Sequence, residues 1–447
     1  MNHVFCISDY GAAADGATVN TAAIQTAVDR CSESGGGTVL VPPGTFVTGT
    51  VELKSNVMLE LSPGATLLAS RNPEDYYRAF PRFDGLIRIS GTTPFNMDQF
   101  LIYALHARNV GICGTGTIDA RGGAFYRETS PGKWRIGEWR PGPTVCLIGC
   151  RGIHLRDFSL RDNPMFGVAL MQSRGAIIRG IRISTNPGFV NGDGIHIKSC
   201  RDVVISDCLI DSQDDALCFY SDYWNWGGAA GLDDLGGDCS DIVVSNCVLS
   251  STWSGVRMGY MGSDAISNLS FNGIIVKHAY TALDFICNGG YSGFDGPGRK
   301  YSGARIEKIQ ISNFRARDTV WGVRMNVLPD VEGEAGIRDI LLSGIDMESK
   351  NGCTLSGAAG RPIRNITFRD FRLTVTGTAG ESPEVPETLP VFIGDQPFRW
   401  PVLLKKTEHV RFFNSAIEFT GKNAGWIPAV LSDETLPESF QPEIEVV

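Results

Sequence analysis

An eight-residue pattern recurs along most of this chain and limits the folds open to it. Its order is apolar, any, apolar, any two, apolar, any, apolar, as in Ile153, Leu155, Phe158 and Leu160. Further copies begin at Ala176, Val203, Ile242, Leu269, Ile309, Ile340 and Ile366, with a weaker one at Val410. Two period-2 strands joined by a bend, repeated at intervals that are 23, 26 and 27 residues where they are shortest and longer where loops are inserted, are typical of the coils of a solenoid. We therefore predict an all-β, right-handed parallel β-helix rather than two β-sandwich domains, which would need hairpin turns.

The first 50 residues predict a cover for one end of the solenoid. A helical spacing of apolar residues follows Asn20, a candidate N-cap, and stops before Gly35; its members are Ala23, Ile24, Ala27, Val28 and Cys31. A terminal coil needs such a cover. We predict a single domain over 1–447, with this cap and the first strands at 5–50, central coils with a groove at 51–373, and a Pro-rich excursion with the last coils at 374–447.

Composition narrows the class of protein. The net charge of −9 argues against nucleic acid or an anionic membrane as partner. The N-terminus lacks a basic stretch followed by an apolar run, and no segment is apolar enough to span a membrane. We expect a cytoplasmic protein with free, buried thiols among its 12 cysteines, unless a leader has been removed. The sequence contains no C-x-x-C pair, so the cysteine spacing does not suggest a metal site. No cofactor is predicted.

A second strand lies in most coils and can be aligned on its apolar residues. The alignment gives a column of small residues, Gly167, Gly194, Ala216, Gly255, Ala282 and Gly322. Strand alternation predicts that this column faces outward and forms the floor of a groove, although close packing is the alternative. The next outward column is Ala169, His196, Cys218, Arg257, Asp284 and Arg324. Its alternating charges fit either ion pairs between coils or contacts with a substrate.

The stretch from Asn191 to Asp215 carries the acids that point to chemistry. Asp193 stands about one coil before the pair Asp214 and Asp215, so we expect three neighbouring carboxylates. Three such carboxylates can catalyse the hydrolysis of a bond in which one acid protonates the leaving atom and another activates the attacking water. Turn-forming aspartates at coil corners are the alternative.

At these residues the sequence resembles glycoside hydrolase family 28, the polygalacturonases and their relatives. NGD at Asn191–Asp193 is similar to the family's Asn-Thr-Asp motif, and QDD at Gln213–Asp215 to its Gly/Gln-Asp-Asp motif. The segments at 8–49 and 101–126 are similar to other blocks of the family. The resemblance implies that Asp214 is the general acid, that Asp193 and Asp215 position and deprotonate the water, and that the anomeric carbon is inverted.

Two departures from the family set this chain apart. Trp253 occupies the position of the family's His, where it could form a platform for a sugar or be covered by a loop. Asp284, Phe285 and Ile286 replace the Arg-Ile-Lys motif that grips galacturonate, and Arg324 lies one coil too late to restore it. We therefore predict a substrate other than plain polygalacturonate.

Aromatic loops suggest a walled groove and hence exo action on oligosaccharides. They are the insertion at 221–239 with Tyr223, Trp224 and Trp226, the loop at 287–303, and the segment 130–143 with Trp134 and Trp139. His196 could tune Asp193, bind a hydroxyl, or make a structural hydrogen bond. The candidate substrate-binding residues are Asn191, His196, Gln213, Tyr223, Trp224, Trp253, Arg257, Asp284 and Arg324.

The function predicted is thus an inverting glycosidase that needs no metal, acting on pectin-related or other plant or microbial oligosaccharides. A polysaccharide lyase or epimerase of the same fold is one alternative, with Asp ligands for Ca²⁺ and a basic residue to take a proton. A non-catalytic carbohydrate-binding β-helix is another. The partner is an oligosaccharide or polysaccharide, and the sequence makes no prediction of oligomeric state.

Overall fold

The structure, a computed structural model, describes residues 4–77, 79, 86–87, 95–96, 98–221, 237–289, 302–377, 400–420, 430–432 and 444–446. The chain divides into two compact units: of the described residues, the first contains those up to Asp214 together with Gly237, and the second contains 215–221 and those from Asp238 onward. The predictions made for 222–236, 290–301 and 378–399, including Tyr223, Trp224 and Trp226, lie outside the described residues. The single-domain organisation stays a prediction.

The first unit is built from three stacks of parallel strands, numbered here in chain order. The first stack is β1 (Val4–Cys6), β3 (Gly37–Val41), β6 (Val57–Leu61), β11 (Arg108–Gly114), β16 (Arg151–Arg156), β19 (Arg174–Arg179) and β22 (Arg201–Ser206). The second is β2 (Asp15–Val19), β4 (Gly44–Thr48), β7 (Ala65–Ala69), β12 (Thr117–Asp119), β17 (Ser159–Arg161), β20 (Arg182–Ser184) and β23 (Leu209–Ser212). The third is β5 (Val51–Glu52), β10 (Ile102–Leu105), β15 (Val145–Ile148), β18 (Val168–Met171) and β21 (Ile195–Lys198).

The first unit also contains two antiparallel strand pairs and three short 3₁₀ helices. Two antiparallel pairs join β8 (Leu86–Ile87) to β9 (Phe95–Asn96) and β13 (Tyr126–Ser130) to β14 (Lys133–Ile136). Short 3₁₀ helices span Ile7–Tyr10, Pro73–Asp75 and Gly122–Ala124.

The second unit repeats the three stacks, with strands that often run through more than one of them. They are β24 (Leu217–Ser221), β25 (Cys239–Ser245), β26 (Val248–Ser251), β27 (Ser254–Gly262), β28 (Ala265–Cys287), β29 (Arg305–Val327), β30 (Gly336–Ser349), β31 (Cys353–Ser356), β32 (Ile363–Val375), β33 (Val402–Lys405), β34 (Thr407–Phe413), β35 (Ser415–Phe419), β36 (Val430–Ser432) and β37 (Ile444–Val446). The prediction of an all-β, right-handed parallel β-helix is confirmed.

Equivalent positions of the repeated pattern pair with each other on neighbouring strands. In the first unit Ile153 pairs with Ala176 and Ala176 with Val203. In the second, Leu269 pairs with Ile309 and Ile309 with Ile340. The bend inside the pattern carries a residue with positive φ that is always Asp, Asn or Gly: Asp157, Gly180, Asp207, Asn246, Gly273, Asn313, Gly344, Asp370 and Asn414. These residue types adopt the left-handed conformation at the least cost, which explains why the chain turns there.

Helix α1 (Thr21–Glu33) is the predicted cap helix and follows Asn20 as expected. It buries Ile24, Ala27, Val28 and Cys31. The Asn20 side chain makes no hydrogen bond to the helix; its Oδ1 instead accepts from the backbone N–H of Ala13 at 2.7 Å. Asn20 thus anchors the segment before the helix to the first coils.

The prediction for the small-residue column is wrong, because its members face the core. A Cβ on Gly255 would lie 2.7 Å from both γ-carbons of the buried Val276, and one on Gly322 would lie 3.1 Å from the Sγ of Cys353. A Cβ on Gly167 would lie 3.0 Å from the Leu160 side chain. The small residues lie at the bend that leads into the third stack. The alternation of inward and outward side chains along a strand therefore does not predict their direction. Small residues are needed there for close packing.

The state of the cysteines agrees with the expectation of free, buried thiols. All 12 cysteines are free, and all except the partly exposed Cys6 are buried. Among the described residues no helix has both the length and the apolar character required to cross a bilayer.

Candidate active site

Asp193 and Asp214 come together in the first unit. One carboxylate oxygen of Asp193 lies within 4.8 Å of one of Asp214. Asp193 is buried, with 3% of its surface exposed, whereas Asp214 is half-buried. A pair of acids in such different surroundings suits the division of labour between a group that gives a proton and one that takes it. Each could also offer an oxygen to a cation, although acidic clusters commonly stand without one.

Hydrogen bonds of backbone groups and of the side-chain amides of Gln213 and Asn163 hold the two motifs in place. The Gly192 N–H donates to Gln213 Oε1 at 3.1 Å, and the Gln213 N–H donates back to the Gly192 carbonyl at 3.0 Å. The carbonyl of Asp193 accepts hydrogen bonds from the Gly167 N–H at 2.9 Å and from Asn163 Nδ2 at 3.2 Å. Gln213 therefore has a positioning role in this structure, and its predicted contact with substrate stays a prediction.

His196 holds the side chain of Asp193. Its Nε2 lies 2.8 Å from Asp193 Oδ2, and its ring stacks on Phe166 with centroids 3.8 Å apart and planes 17° apart. The same Phe166 ring lies 5.7 Å from the Nζ of the buried Lys198. Of the three predicted roles of His196, the hydrogen bond to Asp193 is the one that its geometry displays.

Arg140 is a residue that the sequence analysis missed. It is completely buried, and its guanidinium donates to the carbonyls of Val190 at 2.7 Å and Pro164 at 2.9 Å, and to Asn191 Oδ1 at 3.1 Å. It also donates to the hydroxyl of Tyr126, whose ring stacks on Phe189. Asn191, predicted to contact substrate, is thus held at the start of the NGD motif. No sequence motif marks Arg140, because its partners are mostly backbone carbonyls from distant segments.

Asp215 lies in the second unit, where it is also buried. Its Oδ1 accepts the Ser254 N–H at 3.1 Å, and its Oδ2 lies 3.1 Å from Arg257 Nε. Ser254 lies next to Trp253, the residue at the family's His position. Neither Ser254 nor the pairing of Asp215 with Arg257 was predicted.

The charged column forms a ladder of ion pairs in this unit. Arg257 pairs in register with Asp284, and Asp284 with Arg324, on successive coils. Arg257 Nη2 lies 3.2 Å from Asp284 Oδ2, and Arg324 reaches the same carboxylate through Nε at 2.9 Å and Nη2 at 2.7 Å. Burial by itself raises the pKa of Asp284, but the two guanidinium groups outweigh it and hold that pKa below its usual value. The predicted alternative of ion pairs between coils is confirmed.

Trp253 is partly buried and meets Tyr280 edge-on, with ring centroids 5.1 Å apart and planes 79° apart. The Trp134 ring packs on Phe189, and Trp139 packs between Tyr76 and Phe125. Contacts of Trp253 with a sugar stay a prediction.

A β-helix that carries a half-exposed acid beside a buried, histidine-bonded carboxylate has the parts of a glycosidase. Comparisons with known proteins agree. The family model of the glycosyl hydrolases family 28 matches residues 31–225, which include all three predicted catalytic acids. A probable polygalacturonase of Vitis vinifera is 29% identical over 85% of this chain and 76% of its own. The exo-poly-alpha-D-galacturonosidase of Dickeya chrysanthemi is 23% identical over 85% of this chain and 72% of its own.

Solved structures show the same fold. The hyperthermoactive exopolygalacturonase of Thermotoga maritima superposes with a TM-score of 0.67 at 22% identity, covering 84% of this chain and 88% of that one. The family-model match and these relatives together support assignment of the chain to glycoside hydrolase family 28 and support an O-glycosyl hydrolase activity.

Proposed function

We propose that this protein hydrolyses pectin-related oligosaccharides from one end, with inversion, through Asp193, Asp214 and Asp215. The observation that carries the proposal is the approach of the half-exposed Asp214 to the buried Asp193 within 4.8 Å. Asp214 protonates the glycosidic oxygen, the bond to the anomeric carbon breaks, and a water attacks that carbon. Asp193 and Asp215 orient the water and take its proton.

The substrate class rests on the similar proteins and on the ion-pair ladder. The relatives are named for polygalacturonate, and pectin is the natural source of related oligosaccharides. In this chain, however, Asp284 replaces the first cation of the family's uronate grip and binds Arg257 and Arg324 instead. A sugar recognised without that grip is favoured. Exo action rests on the names of the similar enzymes and on the loops predicted to wall the groove.

Retention of configuration is a second candidate, because inversion rests on the resemblance to family 28, while the nearest oxygens of Asp193 and Asp214 lie within 4.8 Å. Carboxyl groups stand about 6.5–9.5 Å apart in most inverting glycosidases and about 5–5.5 Å apart in retaining ones. In a retaining mechanism Asp193 would attack the anomeric carbon, and water would then hydrolyse the glycosyl-enzyme.

A sugar-release assay with product anomers followed by proton NMR tests both mechanisms. The panel contains oligogalacturonates, rhamnogalacturonan fragments and neutral oligosaccharides, each with and without chelator. We expect release of single sugars with inverted configuration, and a fall in kcat of about 10²–10⁴-fold in Asp214→Asn. Asp211→Asn, which alters an exposed acid on β23 three residues before Asp214, is the matched control and should retain full activity. Retained configuration selects the second candidate, and equal activity of wild type and Asp214→Asn overturns the assignment of the acid.

A further inference from the structure

Four buried charged side chains of the second unit form one connected network. Asp215, Arg257, Asp284 and Arg324 have exposed fractions of 2%, 5%, 0% and 1%. Arg257 lies at its centre, because it contacts Asp215 through Nε at 3.1 Å and Asp284 through Nη2 at 3.2 Å. Two acids and two arginines make the network neutral, so the loss of any one member leaves an uncompensated buried charge.

The geometry around Arg257 fixes its direction. Ser254 Oγ accepts from Arg257 Nη2 at 3.0 Å and lies 3.2 Å from Asp284 Oδ2. On the other side the Arg257 guanidinium lies over the Tyr260 ring at 5.3 Å from its centroid. Arg324 donates twice to Asp284 and so orients that carboxylate toward the arginines. Arg324 therefore fixes the side-chain conformation of Asp284, and Asp284 in turn helps to fix that of Arg257.

Only one member of the network belongs to the proposed catalytic acids. Asp215 receives two contacts, the Ser254 N–H on Oδ1 and Arg257 on Oδ2, which together fix the plane of its carboxylate. A carboxylate that takes a proton from water must be held within a fraction of an ångström, since about 1 Å of misplacement can cost about 10²-fold in rate.

We propose that Arg257 is a positioning residue for Asp215, and that the Asp284–Arg324 pair holds Arg257 in place. The inference rests on the proposed function, because it assigns Arg257 a part in the work of Asp215. It also accounts for the charge at position 284: an acid there completes a support for Asp215, where a basic residue would repel Arg257.

Kinetics of Arg257 variants on the substrate identified in the assay above test the inference. In Arg257→Met we expect kcat to fall about 10²-fold while KM stays within about threefold, because substrate binding does not need the arginine but the orientation of Asp215 does. Arg257→Lys keeps the charge but cannot span both carboxylates with a planar fork, so we expect a smaller loss of kcat, about tenfold. If Arg257→Met does not fold, the kcat of Arg257→Lys still tests whether Arg257 positions Asp215.

Arg338→Met is the matched control, because it removes an arginine from another buried carboxylate of the same unit, Glu307. We expect it to lower the thermal midpoint without changing kcat or KM. A folded Arg257→Met with wild-type kcat, or one in which only KM changes, overturns the inference. So does a kcat loss in Arg338→Met as large as that in Arg257→Met.

The two proposals fail in different ways. Wild-type protein that releases no sugar from any substrate overturns the proposed function. Active wild-type protein with active Arg257 variants overturns only the inference. Crystal structures of wild type and Arg257→Lys give a readout that needs no activity: a displaced or rotated Asp215 carboxylate supports positioning by Arg257, and an unmoved one contradicts it.

Discussion

The imidazole of His196 is hydrogen-bonded to the carboxylate of Asp193 over 2.8 Å, and both side chains are buried. Burial deprives Asp193 of water, so a protein donor must satisfy its charge. Phe166 stacks on one face of the imidazole and fixes the plane of the ring. The buried acid of the proposed catalytic pair is thus oriented from the same strand region that carries the NGD motif.

Replacing His196 by Phe should separate this hydrogen bond from the ring packing. Phe preserves an aromatic ring next to Phe166 but leaves Asp193 Oδ2 without the imidazole donor. We expect a loss of about 1–3 kcal/mol in the free energy of unfolding, measured by urea denaturation, and a clear fall in kcat. The same change at His154, which is exposed on β16, should alter stability by about 0.5 kcal/mol or less. Equal effects at both positions would contradict the role of His196.

The register of the coils could be predicted from sequence, because a strand buried on one side must present its apolar residues at a period of two. Leu269, Ile309 and Ile340 illustrate this, since each pairs with the next as the pattern requires. The direction of the small-residue column could not be predicted in this way. Gly255 lies close to a bend, where the backbone rotates the Cβ position toward Val276.

Gly255→Ala should therefore destabilise the protein although the substitution adds only a methyl group. The new Cβ would lie 2.7 Å from Val276 and 2.9 Å from the carbonyl oxygen of Ala282, so backbone or core must shift. We expect a loss of about 1–3 kcal/mol in the free energy of unfolding. Gly123→Ala is the control, because its nearest neighbour is the Phe189 ring at 3.8 Å. A neutral Gly255→Ala would mean that the column has room and would revive the interpretation as an open floor.

The carboxylates could be found by motif, but the groups that hold them could not. Asp193 and Asp215 stand in short conspicuous sequences, whereas Arg140 and Ser254 act through backbone atoms and distant partners. The sequence also left open whether Arg257 and Asp284 meet each other or a substrate. The structure shows that Arg257 and Asp284 meet each other, and their contact with a substrate stays a prediction.

Arg140→Met should show how much stability the missed residue supplies. The substitution removes the donors to the carbonyls of Val190 and Pro164 and to the side chain of Asn191. We expect a loss of about 2–4 kcal/mol in the free energy of unfolding by chemical denaturation. Activity should fall as well, because Asn191 begins the motif that carries Asp193.

The control for Arg140 is Arg174→Met. Arg174 is exposed and pairs with Asp202 at 2.6 Å, so removing it should cost about 0–1 kcal/mol. If Arg140→Met were no more costly than this surface change, its hydrogen bonds would contribute little to the native state.

The depressed pKa of Asp284 predicts how the ion-pair ladder responds to pH. Its folded pKa lies below the unfolded value of about 3.9, so the native state favours the carboxylate. The stability gained from that preference is fully present above about pH 4–5 and is lost as the pH falls through the folded pKa. We expect Asp284→Asn to be less stable than wild type by a constant amount near neutrality, with a gap that narrows as the pH is lowered below about 4. Denaturant titrations between neutral pH and about pH 3 measure the gap, and Asp9→Asn, which removes one exposed carboxylate, controls for the change in net charge. A gap that stays constant or widens toward low pH would show that Arg257 and Arg324 do not stabilise the Asp284 carboxylate.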